Sequence, residues 1–135
     1  MSKATPNDAS ASAAGYLYQC RYALLAGLRA IQDAPELELS IEKFDDVAFD
    51  SAGDPVELIQ TKHHVQHAGA LSDASSDLWR TLLIWCKRAA ADIEAPFRTT
   101  FVILTTAAAP PNSAASYLRV SGRNEAEADK LQNKT

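Results

Sequence analysis

Leu37-Glu38-Leu39-Ser40-Ile41-Glu42-Lys43-Phe44-Asp45-Asp46-Val47-Ala48-Phe49 and, after a turn, Val56-Glu57-Leu58-Ile59-Gln60-Thr61-Lys62-His63-His64 decide the fold of this 135-residue chain. In the first run Leu37, Leu39 and Ile41 alternate with Glu38, Ser40 and Glu42, the period of two of a half-buried strand. Phe44, Val47 and Phe49 carry the run past Asp45-Asp46. Two acids inside an apolar stretch predict a bend or bulge, hence one long bent strand or two short ones. Asp50-Ser51-Ala52-Gly53-Asp54-Pro55 has turn chemistry throughout, so the two runs form a hairpin.

Outward from the hairpin the period changes to that of helices. On the N-terminal side Leu17, Cys20, Leu24, Leu28 and Ile31 recur at threes and fours, with Tyr18, Tyr22 and Leu25 widening the stripe. This predicts an amphipathic helix over about 15–33, ended by Pro35. Residues 1–14 hold almost nothing to bury and read as a disordered leader. On the C-terminal side Ser72-Asp73 is a plausible cap for a helix over about 73–93, with Leu78, Leu82, Trp85 and Ala89 on its apolar face. Pro96 stops it. Phe97 to Thr105 contains Phe101-Val102-Ile103-Leu104, a short apolar run suited to a buried parallel strand. A third helix is expected over Ser113 to about Val120. A further one begins at Asn124 and reads as truncated within 121–135. The order predicts an α/β (α+β) domain over 15–120: a small mixed sheet whose faces are covered by the two long helices.

Composition narrows the function classes. Thirteen Lys and Arg against 17 Asp and Glu give a net charge of −4, which argues against binding nucleic acid by electrostatics alone. It leaves room for an enzyme that brings carboxylates and a metal to a phosphodiester. Eight of the 17 acids (Glu36, Glu38, Glu42, Asp45, Asp46, Asp50, Asp54, Glu57) fall around the hairpin, as a solvated edge or as a metal site. No apolar run approaches the ~18 residues of a membrane span, and nothing marks secretion. Cys20 and Cys86 lie in helical segments and read as buried free thiols in a reducing cytosol, so the expected location is cytoplasmic.

The hairpin carries the chemistry. Gln60 and Lys62 point to one face of their strand and Thr61 to the other. A lysine on a buried-looking strand needs an acid, and Glu42, Asp45 and Asp46 are the acids available across the hairpin. A carboxylate, then about 14 residues on an oxygen ligand and a lysine two apart, is what metal-assisted phosphodiester cleavage requires. The oxygens hold the ion, and the lysine positions the water and offsets charge on the phosphate. The same pattern also describes an exposed edge strand with Lys62 as a gatekeeper and Asp45-Asp46 as a turn. If the strand runs regularly through 41–49, Asp46 and Glu42 share a face. His63, His64 and His67 fall within five residues. Zinc suits them poorly, because neighbours on a strand face opposite ways and no cysteine lies nearby; contact of His63 and His64 with a DNA phosphate and an ordinary solvated loop are the two other readings.

Gly15-Tyr16-Leu17-Tyr18-Gln19, Ile41-Glu42-x-x-Asp45-Asp46-Val47, Gln60-Thr61-Lys62-His63-His64 and Leu71-Ser72-Asp73-x-Ser75-x-Asp77-Leu78-Trp79-x-Thr81-Leu82, in that order, resemble the double-stranded-DNA endonuclease domain of bacterial anti-phage (CBASS-type) effectors. That domain belongs to the PD-(D/E)XK, restriction-endonuclease-like superfamily. The resemblance covers about residues 14–106. It implies an α-β-β-β-α-β core and DNA cleavage dependent on Mg2+, with Mn2+ as a substitute. It places the metal-binding aspartate on Asp46 of the Asp45-Asp46 pair and the signature lysine on Lys62. Gln60 stands where the signature has Asp or Glu, a weaker ligand for a hard cation. Glu42, Asp45 and Gln19 are supporting residues, Gln19 from the first helix. The resemblance further implies double-stranded DNA as substrate and a sensing domain or partner protein beyond this chain. A homo-oligomer is expected, with Trp79 and Trp85 offering apolar surface. The alternative is a catalytically silent relative that serves as an interaction or DNA-docking module, which Gln60 and the net charge favour.

Overall fold

In the computed structural model, which describes residues 6–63 and 70–132, the alternating run becomes two strands: β1 (Glu38–Ile41) and β2 (Val47–Ser51). The break falls at Glu42, whose φ of 59° lies in the left-handed region and turns the chain. The Glu42 N–H donates to the Asp46 carbonyl at 3.1 Å and closes the bend. Ile41 and Val47 face each other across it in an antiparallel pair. The regular strand through 41–49 on which Glu42 and Asp46 were to share a face is therefore absent.

β3 (Asp54–Lys62) returns antiparallel to β2. The two residues between them, Ala52 and Gly53, have φ of 51° and 89°, the two positive values that a type I′ hairpin turn demands. Asp50 Oδ2 accepts from the Gly53 N–H at 2.9 Å. The register shifts between Phe49 and Asp50, and Pro55 pairs there; a bulge is where a central strand tolerates proline. β4 (Thr100–Thr105) lies parallel to β3, giving the sheet order β1-β2-β3-β4. A parallel neighbour needs a crossover, which α2 (Ser76–Ala91) supplies. The chain is thus a mixed α+β fold with a small four-stranded mixed sheet flanked by helices.

α1 (Pro6–Asp33) covers one face of the sheet. It starts well before Gly15: residues 6–14, read as leader, are helical, and residues 1–5 lie outside the described ones. Proline suits a first turn, and Ala9, Ala11, Ala13 and Ala14 are strong helix formers whether or not they bury anything. Its inner side is made of small residues. Ala23, Ala26 and Ala30, with Tyr22, pack on Val47, Phe49 and Ile59. At Gly27 an added Cβ would come within 3.0 Å of Leu39 Cδ2, so the helix lies close on β1. The stripe Leu17, Leu24, Leu28 and Ile31 points outward, with Leu24 65% exposed and Ile31 63%.

The other face is covered by α2 together with the short α4 (Ala114–Tyr117) and α5 (Glu125–Gln132). Leu71, Leu78, Ala114 and Ala115 form its core with Trp79, Leu82, Ile103 and Leu131 around them. Ser75, not Ser72-Asp73, caps α2, its Oγ accepting from the Leu78 N–H. Asp73 instead takes the Ala114 N–H on Oδ1 at 2.7 Å. Pro96 begins a one-turn α3 (Ala95–Arg98), so β4 starts three residues after the expected Phe97. Thr99 Oγ1 then donates to the Pro55 carbonyl at 2.7 Å and pins the start of β4 to β3. α4 ends at Tyr117, short of Val120, and Cys86 is an exposed thiol, not a buried one.

Candidate functional site

The bend between β1 and β2 brings the acids to β3, and it sorts them. Asp45 Oδ1 accepts from Gln60 Nε2 at 2.6 Å and from the Asp46 N–H at 2.9 Å. Asp46 Oδ2 accepts from the Thr61 N–H at 2.8 Å and the Thr61 hydroxyl at 3.1 Å. Neighbouring acids thus meet neighbouring residues of β3. Gln60, on the side of the sheet that α2 covers, receives Asp45; Thr61 receives Asp46. The sequence reading paired Asp46 with Gln60, whereas the structure gives Gln60's side chain to Asp45. From α2, Arg88 Nη2 donates to the Phe44 carbonyl at 3.1 Å and holds the bend down. Thr81, fully buried on α2, donates its hydroxyl to Gln60 Oε1 at 3.5 Å.

One step further along β3 the chain opens into a cleft of about 370 Å3 at the N-terminal half of α1. Lys62, Glu42 and Gln19, three of the residues singled out in the sequence, line it with Tyr16, His63 and Asp77. Gln19 is there because α1 crosses the end of β3, which puts one helix face over the strand end. Gln19 Oε1 and His63 Nδ1 are buried without a hydrogen-bond partner, so two polar atoms of the cleft wall stand unpaired. The His63 ring packs edge-on against Tyr18 at 4.7 Å. Cys20 holds the Tyr16 phenol above its ordinary value through its charge and a hydrogen bond, with burial and then Glu42 adding to the push. His64 and His67 lie outside the described residues.

The chemistry of the donors decides which ion would suit. Among the described residues no group of three or more His, Cys, Asp and Glu side chains is placed to hold a metal. Mg2+ asks for less: oxygen ligands, one or two carboxylates, and retained waters. Asp45 Oδ2 and Asp46 Oδ1 take no part in the hydrogen bonds described for these carboxylates. These are oxygens of the kind a hard cation takes, whereas Gln60 turns Nε2 to Asp45 and Oε1 to Thr81. Lys62 follows Gln60 by two residues on the same side of β3 and offers the positive charge.

Two residues of this arrangement had no distinct signal in the sequence. Arg88 acts through its reach to a backbone carbonyl. Thr81 is a polar residue in the sheet-facing turn of α2, and its burial depends on how α2 sits on β3. Glu57, on the opposite side of β3, is held above its ordinary 4.5 by burial, and Tyr22 beside it is raised by burial and by Glu57's charge. No helix among the described residues is long and apolar enough to cross a membrane. Comparison of the chain with protein-family models, curated proteins and solved structures gives no match.

Proposed function

We propose that this chain is a Mg2+-dependent double-stranded-DNA endonuclease domain of the restriction-endonuclease-like type, serving bacterial anti-phage defence. The observation that carries the reading is the 2.6 Å contact between Asp45 and Gln60. It joins one carboxylate of the Asp45-Asp46 pair to the residue two before Lys62, with Asp45 standing where the resemblance implied Asp46. The succession helix, three strands, helix, strand supports it, apart from the single turn of α3.

In this reading Asp45, Asp46 and Gln60 hold Mg2+, or Mn2+ in its place, through oxygen atoms. The ion supplies a polarised phosphate and an activated water. Lys62 lies beyond Gln60 and offsets the charge that builds on the phosphate, while orienting the attacking water. The cleft lined by Gln19, Glu42, Lys62 and His63 receives the DNA backbone, with His63 donating to a phosphate. Cutting two strands calls for two sites, so a homo-oligomer belongs to the same proposal. The outward leucines of α1, more than Trp79 and Trp85, are the apolar surface available for it. Trp79 is tied by Nε1 to the Asp73 carbonyl, and Trp85 packs 5.6 Å from the Phe101 ring. A sensing domain or partner protein that activates the site completes the proposal.

A second reading has an observation of its own. Both carboxylates already serve β3, Asp45 through Gln60 and Asp46 through Thr61, which is what a silent interaction module would keep as a structural staple. Incubation of the purified chain with supercoiled plasmid in Mg2+, Mn2+ or EDTA separates the two. Metal-dependent nicking or linearisation that EDTA abolishes supports the nuclease. Intact plasmid together with no metal-dependent rise in melting temperature supports the silent module.

A further inference from the structure

We propose that the groove between α2 and β4 binds a small planar aromatic acid, whether or not the chain cuts DNA. β4 ends the strand order, so one of its edges has no strand beside it. Phe101 and Ile103, alternate residues of β4, face α2, and Leu82 and Trp85, three apart on α2, face them. The space left between these walls is about 720 Å3, a volume that takes a small organic molecule. Its third wall is the turn over 118–124 between α4 and α5. The Asn124 N–H closes that turn on the Tyr117 carbonyl at 2.8 Å, with Gly122 at a φ of 74°. Arg119 and Arg123 reach the groove from it.

Charge and ring chemistry together define the occupant. Among the described residues the two arginines line the groove and no carboxylate does. In a chain of net charge −4, such a local excess of positive charge draws an anion. Arg123 Nε meets Glu125 Oε1 at 2.8 Å, and Arg119 Nη2 donates to the Ala109 carbonyl at 3.3 Å. Each contact uses one nitrogen of a guanidinium that carries three. The aromatic half is supplied by Trp85 and Phe101, whose ring centroids lie 5.6 Å apart. A flat ring packed beside this pair gains buried area and favourable ring–ring geometry. The two tryptophans of α2 differ in one respect. Trp79 Nε1 donates to the Asp73 carbonyl, whereas Trp85 Nε1 is buried with no hydrogen-bond partner. A buried unpaired N–H is costly, and no hydrogen bond pins the Trp85 ring. An occupant whose carboxylate meets this N–H as the ring adjusts recovers that cost.

The probe is 2-naphthoate, with naphthylmethylammonium as its cationic counterpart. Both are titrated into the full 15N-labelled chain, and the assigned indole N–H resonances of Trp85 and Trp79 are followed by NMR. Naphthoate should move the Trp85 signal and leave that of Trp79, already tied to Asp73, in place. The dissociation constant should be on the order of 1 mM, as for a fragment of this size, and the ammonium should bind about tenfold more weakly or worse. Arg119→Gln and Arg123→Gln should each weaken naphthoate about three- to fivefold, the scale of one exposed charge contact. Arg123→Lys, which keeps the charge, should stay within about twofold of the wild type. A Trp85 signal unmoved at about 10 mM naphthoate would overturn the proposal. So would equal affinity for the two probes, which marks a plain apolar slot, or a Trp79 signal that moves as far as that of Trp85. Arginine variants that bind naphthoate as the wild type does would overturn it as well. Should a variant not fold, the two probes on the wild type still decide.

Discussion

α1 and α2 cover opposite faces of one sheet with opposite kinds of side chain. α1 lays alanines on the sheet and turns its leucines to the outside, so that Ala23 is buried and Leu24, its neighbour, is 65% exposed. α2 inserts a large residue, Leu78, and beside it a polar one, Thr81, both fully buried. Close approach explains the first choice: Gly27 and the alanines let α1 lie flat on β1 and β2. The second choice has a different cause. β3 is apolar at Leu58 and polar at Gln60 on the α2 side, and Thr81 meets it where the polarity changes. The first contact is mainly alanine packing, with Tyr22 and Glu57 at its side, while the second carries a polar cluster that ties into the acids of the bend.

The largest effect should come from the α2 side. Leu78→Ala removes a fully buried side chain from the core shared with Leu71 and Ala114 and should cost about 2–5 kcal/mol in chemical denaturation. A loss below the low end would mean that α2 is loosely seated and that the Thr81 contact has little to hold it. On the α1 side the break is made by enlargement. Ala23→Leu forces three more carbons between the helix and Val47, Phe49 and Ile59 and should cost about 1–3 kcal/mol. A neutral result would show that α1 rides further from the sheet than its alanines imply.

How legible was this in the sequence? The hairpin was, because alternation, turn residues and the run Val56–His64 agree with one another, and agreement across levels is what specifies a structure. The inner side of α1 was not. A leucine stripe at threes and fours signals a helix face that avoids water, but it does not say what covers it, and the sheet took the alanine face instead. The pairing of acids with β3 was half legible. The spacing brought Asp45 and Asp46 to Gln60 and Lys62, yet only the bend at Glu42, with its positive φ, decides that Asp45 meets Gln60 and Asp46 meets Thr61. No propensity of glutamate foretells a left-handed residue there. Gln19 and Lys62 line one cleft, while His64 and His67 fall outside the described residues.

A smaller effect sharpens the same contrast on the α1 side. Burial holds Glu57 above its ordinary 4.5, so the folded state favours the neutral acid. Below the unfolded value the group is protonated in both states and nothing is lost. As the pH rises through the higher folded value, the charged form must be buried and stability falls. Glu57→Gln should therefore raise the melting temperature at pH 7, and the gain should vanish by about pH 4. A gain that persists at pH 4 would assign it to packing, not to the proton. Smallest of all is the outer face. Leu24→Glu should leave monomer stability within about 0.5 kcal/mol, as surface changes do. If α1 joins two copies, it should also convert an oligomer to a 14.6 kDa monomer in light scattering. An unchanged oligomer would move the interface elsewhere.

The central claim is that β3 carries a nuclease site, and Lys62 is the residue that separates a working site from a structural staple, since it belongs to the cleft and not to the Asp45–Gln60 contact. The measurement is the rate of supercoiled-plasmid cleavage in Mg2+ by the wild type and by Lys62→Ala, with the melting temperature of each recorded alongside. The account predicts cleavage by the wild type, a loss of about 100-fold or more in Lys62→Ala, in the range of a lost acid–base or electrostatic contribution, and unchanged folding. Equal rates in the two proteins, or no cleavage by either together with an unfolded Lys62→Ala, would contradict it and leave the acids of the bend as a staple across the hairpin.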